Sequence, residues 1–451
     1  MPEVDIQSLK DYELYCEGRL ADPYPLFQRL RAEDPVHWSE RLGSWIVTRY
    51  DDVYALLNDP RLASDRVSAY MSALPEPQRT SLRPLGEHVS NWLGFTDPPK
   101  HTRMRKLVSK VFTPKLADDM RDRIQAIVNT LLDRVQPRGQ MDIIKDFAYP
   151  LPATVICEIL GINSDKQEQF KVWLDDINAF VGGFGPGLTD IADQAYKSQK
   201  ELAGFLRELS LQRRSQPTGD LISALSAVEG ESEGLTEQEL LGLCVFLFSA
   251  GEETTVSLIG NAMFLLMENR DELERLKKHP ELIRSAIEEF LRYESPIQVL
   301  PRLAARDIEI RNRCIRKGQA VILVQGSANR DPAQFPDPDC LDIGRSDNRH
   351  VAFGWGIHFC LGAPLARIEG QIAIKSIFER FPDIRLQGKD LKTERKPHPS
   401  LFRITSGAAL NSHTQEGIDA IIARLPPAEP TQVPRIDDEL RNPGVPNTAK
   451  V

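Results

Sequence analysis

One cysteine, Cys360, lies in a glycine-rich stretch, FGWGIHFCLG at 353–362, whose three glycines are Gly354, Gly356 and Gly362. Glycine adopts positive φ angles without strain and lets a bulky group approach the backbone closely. A helix-forming run, APLARIEGQIAIKSIFERF, follows at once. A cysteine at the start of a helix has its thiolate favoured by the helix dipole and by unpaired N–H groups. The pattern indicates a thiolate presented in a tight loop beside a large, flat group.

Two other roles for this cysteine must be weighed. A single cysteine in a long chain is most often a small buried apolar residue. His358, two positions earlier, suggests a metal pair with Cys360. No C-x-x-C or H-x-x-x-H pattern is present in the sequence, so a four-ligand zinc site lacks its other half. The loop suits an axial haem ligand instead, whose thiolate donates electron density to iron.

A second group of chemically active residues, AGEETT at 250–255, interrupts the apolar run at 236–267. Glycine inside a helix costs about 1 kcal/mol relative to alanine, and Thr254 and Thr255 are β-branched, hence mediocre helix formers. An acid pair within an apolar helix also needs a reason. One explanation is that the helix loosens to admit a diatomic ligand and water, with a carboxylate and a hydroxyl relaying protons. The alternative is that Glu252 and Glu253 mark a solvated helix face.

Charged residues elsewhere give weaker signals. Glu289 and Arg292 have i,i+3 spacing, so they can pair on one helix face, although most such pairs are solvated surface pairs. His101 and Arg105 are four residues apart, hence on one helix face, and Arg302 follows a proline-bounded segment. Taken singly, such residues are most often plain surface positions.

The elements that must position these residues are mainly helical. Helical periodicity and capping signals predict helices at 22–34, 50–59, 99–112, 115–135, 151–160, 165–181, 190–214 and 236–267. Strand-like alternation predicts a hairpin over 36–50 and strands over 308–324 with a turn at Gly318. Residues 60–95 contain several prolines and little periodicity, which predicts a long irregular connection. The expected fold class is mainly α with small β-sheets.

Composition limits the possible functions. The chain has 451 residues and a formal charge of −9, which argues against general nucleic-acid binding. Its six cysteines are scattered, which suits a reducing cytoplasm better than a disulfide framework. No apolar run follows Met1, and the most apolar stretch, 240–251, is too short to span a bilayer. We therefore expect a cytoplasmic protein without signal peptide or membrane contact, in one large domain.

The cysteine loop, the AGEETT string and the E-x-x-R pair together resemble the haem-thiolate motifs of the cytochrome P450 family, in the family's order and at compatible separations. The resemblance spans roughly residues 20–405. It implies the family's triangular, helix-rich fold, with haem b between the long central helix and the cysteine-loop helix. On this basis residues 1–411 form the haem domain, and 412–451 form a C-terminal extension that we expect to be mobile.

The resemblance also assigns roles by position. It implies that Cys360 is the axial ligand of the iron and that Glu253 and Thr254 are the acid–alcohol pair. The positions that match haem-contacting residues of the family are His101, Arg105, Ala250, Gly251, Arg302, Phe353, His358 and Gly362. A third basic residue often joins E-x-x-R in the family. In this chain Cys340 takes the comparable place, which leaves that partner in doubt.

The implied activity is a monooxygenase of secondary metabolism that inserts one oxygen atom of O2 into a hydrophobic small molecule, by hydroxylation or epoxidation. No reductase segment follows the loop, so electrons should come from a separate ferredoxin and ferredoxin reductase, with the enzyme a monomer. Basic residues expected to dock this donor are Arg103, Lys106, Lys110 and Lys115 on one helix, with Arg345, Arg349 and His350. Substrate contacts are expected from 66–95, 180–187, 246–250, 297–300 and the turn near Ile404. The alternatives are a haem-thiolate peroxygenase or isomerase, and a non-enzymatic haem sensor.

Overall fold

The computed structural model describes residues 22–40, 42–163, 166–182, 188–227, 234–385, 394–395 and 404–405. The predicted extension at 412–451, and the boundary before it, lie outside these residues. The described helices are α1 (Tyr24–Glu33), α2 (Tyr50–Leu57), α3 (Val67–Ala73), α4 (Glu76–Val89), α5 (Lys100–Val111), α6 (Pro114–Asp119), α7 (Arg121–Val135), α8 (Pro150–Leu160), α9 (Gln167–Gly182), α10 (Leu188–Ser215), α11 (Leu221–Ala227), α12 (Glu237–Glu268), α13 (Arg270–Lys278), α14 (Ile283–Tyr293), α15 (Gln325–Ala328) and α16 (Ala363–Arg380).

The strands are short and form small sheets. They are β1 (Val36–Ser39), β2 (Ser44–Val47), β3 (Leu62–Ala63), β4 (Leu300–Ala304), β5 (Ile308–Ile310), β6 (Arg313–Ile315), β7 (Ala320–Leu323), β8 (Glu394–Arg395) and β9 (Ile404–Thr405). The largest sheet has the order β1-β2-β7-β4-β3. Its β1–β2 pair is the predicted hairpin, with Trp38 opposite Trp45. β4 pairs with β7 and carries Arg302, opposite Val321.

The long helix α12 runs through the main hydrophobic core. Thr236 caps its start in a reciprocal capping box with Glu239, which satisfies backbone donors at the helix end. α12 packs against α8 and against α16, the helix that follows the cysteine loop. By length and composition α12 could cross a membrane, but 67% of its most apolar window is buried within the protein. It therefore serves as a core helix.

The irregular connection predicted for residues 60–95 is wrong, because this segment contains β3, α3 and α4. In α4, Leu82, Leu85 and Val89 are buried at the i, i+3, i+7 spacing of one helix face. Pro84 lies inside this helix, and another proline occupies its first turn, where proline is tolerated. The prolines therefore obscured an amphipathic helix.

The helix predicted over 115–135 and the strands predicted over 308–324 each differ in one respect from the structure. The single helix expected over 115–135 is two helices, because α6 ends before Met120 and α7 begins after it. The turn at Gly318 is present with φ +87°. A second turn, at Arg311 and Asn312, separates β5 from β6, and both residues have positive φ. Asparagine tolerates that region, which could have marked the turn.

Candidate active site

The loop before α16 turns tightly around Cys360. The backbone N–H of Cys360 donates to the carbonyl of Phe353 at 2.9 Å, which closes the loop. Gly354 and Gly356 have φ of +70° and +75°, values that other residues rarely adopt. A Cβ at Gly356 would also lie 2.3 Å from Asn58 Oδ1. Glycine is therefore required at both positions by the fold itself.

Gly362 has a different reason to be glycine. Its φ is −81°, which any residue can adopt, so the positive-φ explanation does not apply here. A Cβ built at this position would meet no described atom within 4 Å. The second explanation offered by the sequence, close approach of a bulky group to the backbone, agrees with this open space at the start of α16.

The Cys360 side chain is partly accessible, and its neighbours act on its charge in opposite directions. Apolar surroundings raise the pKa of the thiol, and this is the largest effect. The N–H of Gly362 and the guanidinium of Arg105 lower the pKa, as do Arg367 and the N–H of Ala363. The N–H groups at the start of α16 lower the pKa of the thiol, as expected, but their effect is smaller than that of burial. A metal ion bound to the sulfur would supply the remaining positive charge.

One face of α12 borders open space in the middle of an otherwise buried helix. Phe246, Ala250 and Thr254 follow at i, i+4 spacing, which places them on one face. Phe246 and Thr254 are partly exposed and Ala250 is exposed, whereas Leu247 and Thr255 are buried. No described part of the protein therefore covers this face. The predicted ligand-facing motif lies at its centre.

Hydroxyl groups on α12 bond back to the helix's own carbonyls. Thr254 Oγ1 donates to Ala250 O at 2.8 Å, and Thr255 Oγ1 donates to Gly251 O at 3.2 Å. Such bonds tend to bend helices, but α12 is continuous, so the expected loosening does not take the form of a break. A Cβ at Gly251 would contact Ile156 at an ordinary 3.5 Å. Packing within the protein therefore does not require this glycine.

The two glutamates of the motif have different surroundings. Glu252 is 8% exposed, while Glu253 is partly exposed beside Thr254. Burial raises the pKa of Tyr149, and the negative charge of Glu252 raises it further, so these two side chains lie near each other. The alternative that both acids mark a solvated face is wrong for Glu252. Glu253 is the more accessible of the two acids, and its predicted part in proton transfer stays a prediction.

Two histidine rings from distant parts of the chain come together near the cysteine loop. The rings of His101 and His358 have centroids 4.1 Å apart, and His358 Nε2 lies 3.0 Å from Ser64 Oγ. Burial lowers the pKa of His101 to about 4 and that of His358 to about 3, with a further contribution from the Arg105 guanidinium. Both rings are therefore neutral at pH 7 and offer N–H donors rather than cations.

Two predicted arginines carry the positive charge of this region. Arg105 donates to the carbonyl of Phe359 at 2.7 Å. Arg302 is 9% exposed, and among the described residues only the Pro301 carbonyl, at 2.9 Å, accepts from it. Burial lowers the pKa of Arg302 to about 10, which leaves it charged at neutral pH. A buried guanidinium with so few acceptors is suited to bind a carboxylate.

These features fit a haem. His101 Nε2 is buried without a hydrogen-bond partner among the described residues, which costs about 1–3 kcal/mol if left so. The charge of Arg302 needs carboxylates, which the propionates of a haem supply. Gly362 and the face around Ala250 leave room for a flat macrocycle. Cys360 offers a soft sulfur ligand for iron.

Glu289 and Arg292 form a buried ion pair whose third partner is Arg345. Arg292 donates two hydrogen bonds to Glu289, at 2.7 and 2.8 Å, and both side chains are fully buried. Arg345 Nε lies 3.2 Å from the same carboxylate. The interpretation that Cys340 takes the third partner's place is wrong, because the basic residue follows five positions later. Cys340 contributes a carbonyl, which accepts from Arg292 at 3.3 Å.

The basic cluster expected to dock an electron donor is largely occupied within the protein. Three members bond to glutamates: Arg345 to Glu289, His350 to Glu288, and Arg103 to Glu239. Lys115 is on α6 and pairs with Asp119, so it does not share a helix with Lys106. Lys106 and Lys110 are exposed on α5. The placement of Lys115 on the same helix is therefore wrong, and the docking role of the cluster stays a prediction.

Aromatic side chains after α4 pack against the open face of α12. The ring centroid of Trp92 lies 5.9 Å from that of Phe246 and 5.9 Å from that of Phe95. A Cβ at Gly94 would lie 3.0 Å from the Phe246 ring, so glycine permits this approach. These residues belong to the predicted substrate-contacting segments, of which residues 183–187 lie outside the described part.

Comparison with known proteins identifies the family. The family model described as Cytochrome P450 matches residues 75–411. The chain belongs to the cytochrome P450 family. The 6-deoxyerythronolide B hydroxylase of Saccharopolyspora erythraea is 38% identical over 381 residues, which cover 83% of this chain and 92% of the relative. The cytochrome P450 monooxygenase PikC of Streptomyces venezuelae is 39% identical over 391 residues, with coverage of 84% and 89%.

A solved structure extends the likeness to the fold. The crystal structure of P450BioI, in complex with an acyl carrier protein ligated to hexadec-9Z-enoic acid, has a TM-score of 0.78 and 35% identity, covering 86% of this chain and 97% of that one. The prediction of a mainly helical cytochrome P450 fold is thus confirmed. The protein is a haem-thiolate monooxygenase, with a cysteine-bound haem iron as its family has.

Proposed function

We propose that this cytochrome P450 hydroxylates or epoxidises a hydrophobic small molecule in the cytoplasm, with electrons from a separate ferredoxin and its reductase. The observation that carries the proposal is the open face of α12, where Ala250 and Thr254 lie one turn apart beside Glu253. The names of relatives, such as 6-deoxyerythronolide B hydroxylase, support a polyketide-type substrate. The aromatic packing at Phe246 suits an apolar one.

In this proposal one site residue binds the haem iron and the others bind the haem propionates. Cys360 supplies the axial thiolate, and Arg105 and Arg302 bind the propionates through their guanidinium groups. The neutral rings of His101 and His358 add N–H donors to the same carboxylates. When bound, the haem supplies the oxygen-activating redox chemistry that side chains lack.

Proton delivery falls to the residues of α12. The Thr254 hydroxyl gives its own proton to Ala250 O, so its oxygen lone pairs remain available to accept a hydrogen bond from the open side. Glu253 is partly exposed and can take up protons from solvent. The aromatic group of Trp92, Phe95 and Phe246 limits bulk water on this side.

Turnover with a surrogate ferredoxin, its reductase and NADPH tests the proposal. Candidate substrates are first found by the spin-state shift that they cause, starting with macrolactones and fatty acyl compounds. Thr254→Ala should lower product formed per NADPH consumed at least tenfold, since positioned proton transfer contributes about 10²–10⁴-fold. Thr255→Ala is the matched control, because it removes an equivalent back-bond from the buried side of the same helix. Equal loss in both variants would contradict the relay.

The same system separates the alternatives. Product formed with peroxide alone, and unaffected by Thr254→Ala, would indicate a peroxygenase. Substrate rearrangement that consumes no NADPH would indicate an isomerase, and haem binding without turnover of any ligand would indicate a sensor. A thiolate-type carbon monoxide difference spectrum that survives Cys360→Ser would refute the assigned ligand.

A further inference from the structure

The carboxylate of Glu288 on α14 joins two residues that flank the cysteine loop, Arg367 and His350. Arg367, on α16, donates to both carboxylate oxygens, from Nε at 2.7 Å and from Nη2 at 2.8 Å. His350 lies just before the loop, and its Nε2 is 3.1 Å from the same carboxylate. The neighbouring acid, Glu289, belongs to the separate buried ion pair with Arg292. Glu288 therefore contacts the chain on both sides of the loop.

The charge of this group follows from the contacts of His350. The backbone N–H of Ala352 donates to His350 Nδ1 at 3.2 Å, so this nitrogen acts as an acceptor and carries no proton. The ring proton is then on Nε2, which donates to Glu288, and the ring is neutral. One carboxylate and one guanidinium therefore remain as the charges of the group, and they lie in direct contact.

Arg367 and His350 both pack on the ring of Phe353, the first residue of the loop. Arg367 Cζ lies 4.5 Å from the centroid of this ring, and the His350 centroid lies 5.9 Å from it. The carbonyl of Phe353 accepts from the N–H of Cys360 at 2.9 Å. Burial raises the pKa of the Cys360 thiol, and the Arg367 guanidinium is among the groups that lower it. The positive charge that Glu288 holds in place therefore acts on the sulfur.

We propose that Glu288 is a positioning residue that offsets the charge of Arg367 beside Cys360 and thereby keeps the reduction potential of the haem iron low. The inference rests on Cys360 being the iron ligand, as in the proposed function. Without the Glu288 carboxylate, the uncompensated charge of Arg367 draws electron density back to the sulfur and favours the reduced, more negative iron site. Without Arg367, the uncompensated carboxylate has the opposite effect.

The exposure of the pair limits the expected size of this effect. The Glu288 and Arg367 side chains are 26% and 31% exposed, so water screens part of their charge. One unit charge in such a position should change the ratio of ferrous to ferric enzyme at a fixed applied potential about three- to tenfold. This equals about 30–60 mV, at 59 mV per tenfold change for one electron.

Redox titration of the haem-loaded enzyme, followed by its absorption spectrum, tests the proposal. Glu288→Gln should raise the ferrous-to-ferric ratio by this factor, and Arg367→Gln should lower it by a similar one. The double variant should return close to wild type, because both charges are removed together. Glu288→Asp keeps the carboxylate and should stay within twofold of wild type.

Glu379→Gln is the matched control, because it removes the same charge from the same helix. Glu379 pairs with Lys375 on α16 at 3.7 Å, and its side chain is 63% exposed. It lies about 18 Å along the helix axis from Arg367, at a rise of 1.5 Å per residue. The potential of this variant should equal that of wild type.

The infrared spectrum of the ferrous carbon monoxide complex supplies a second readout that needs neither turnover nor a redox partner. Weaker donation from the thiolate passes less electron density through the iron to the bound gas. The C–O stretching frequency should therefore rise in Glu288→Gln and fall in Arg367→Gln. Lost packing alone would not give the two variants opposite signs.

Three results would overturn the inference. If both single variants shift the potential in the same direction, altered packing of the loop is the cause. If neither shifts it, or if Glu288→Asp shifts it as far as Glu288→Gln, the carboxylate charge does not act on the iron. A thiolate-type carbon monoxide band that survives Cys360→Ser would refute the proposed ligand, and this inference with it. Should Glu288→Gln fail to retain haem, the sign of the shift in Arg367→Gln still decides.

Discussion

The contacts of the Glu289 carboxylate predict how much stability the protein loses when each basic partner is replaced. Arg292 donates two hydrogen bonds to it and three to backbone carbonyls. Arg345 approaches the same carboxylate at 3.2 Å and is 11% exposed. Asn348 Nδ2 and the N–H of Asp342 also donate to it, both at 3.0 Å. Glu289 therefore keeps some partners when either arginine is replaced.

These contacts set the expected magnitudes. Arg292→Leu should reduce the free energy of unfolding by about 3–5 kcal/mol, the cost of breaking a buried ion pair. Arg345→Leu should cost about 1.5–3 kcal/mol, the value of a charge-assisted hydrogen bond, because Arg292 still neutralises Glu289. Arg349 pairs with Asp347 at a 73% exposed position, and Arg349→Leu should cause no measurable change.

Guanidinium chloride unfolding, followed by circular dichroism, measures these differences through the midpoint and slope of each transition. The loss due to Arg345→Leu should shrink in a Glu289→Gln background, because the two residues share one interaction. Such a cycle separates the ion pair from lost packing of the arginine stem. Equal stability of Arg345→Leu and Arg349→Leu would refute the assignment of Arg345 as third partner.

Two further predictions concern the loop glycines and a buried acid. Gly356→Ala should lower the unfolding midpoint, because the positive φ and the Asn58 side chain both oppose a Cβ. Gly362→Ala should leave the unfolding midpoint unchanged but weaken haem retention. A normal haem content in Gly362→Ala would contradict the close-approach explanation. Burial raises the pKa of Glu369 to about 8 from an ordinary 4.5, so the folded protein holds a proton that the unfolded chain releases, and stability falls as pH rises from about 4.5 to about 8. Glu369→Gln should therefore be more stable than wild type at pH 7, by at most about 3 kcal/mol, and equal at pH 4; the same difference at both pH values would contradict this.

Much of the site could be predicted because its residues belong to short sequence motifs. The glycines around Cys360, the threonine beside an acid in α12, and the i,i+4 spacing of His101 and Arg105 are all local patterns. The long helix α10 could be predicted because apolar spacing along the chain indicates one buried face, and α12 could be predicted from its long apolar run. Local reasoning failed at α4, where one proline in the first turn and Pro84 inside the helix obscured the same periodicity.

The sequence by itself determined the helical class of the fold and the family's cysteine-ligated haem, and it predicted the acid–alcohol pair of α12. Only the tertiary structure decided that Arg345 completes the buried ion pair, that Glu252 is buried, and that the histidine pair is neutral. The physical reason is that burial and charge depend on neighbours that are distant in the chain. Spacing identifies which residues can share a face, whereas desolvation by packed elements sets what charge they carry there.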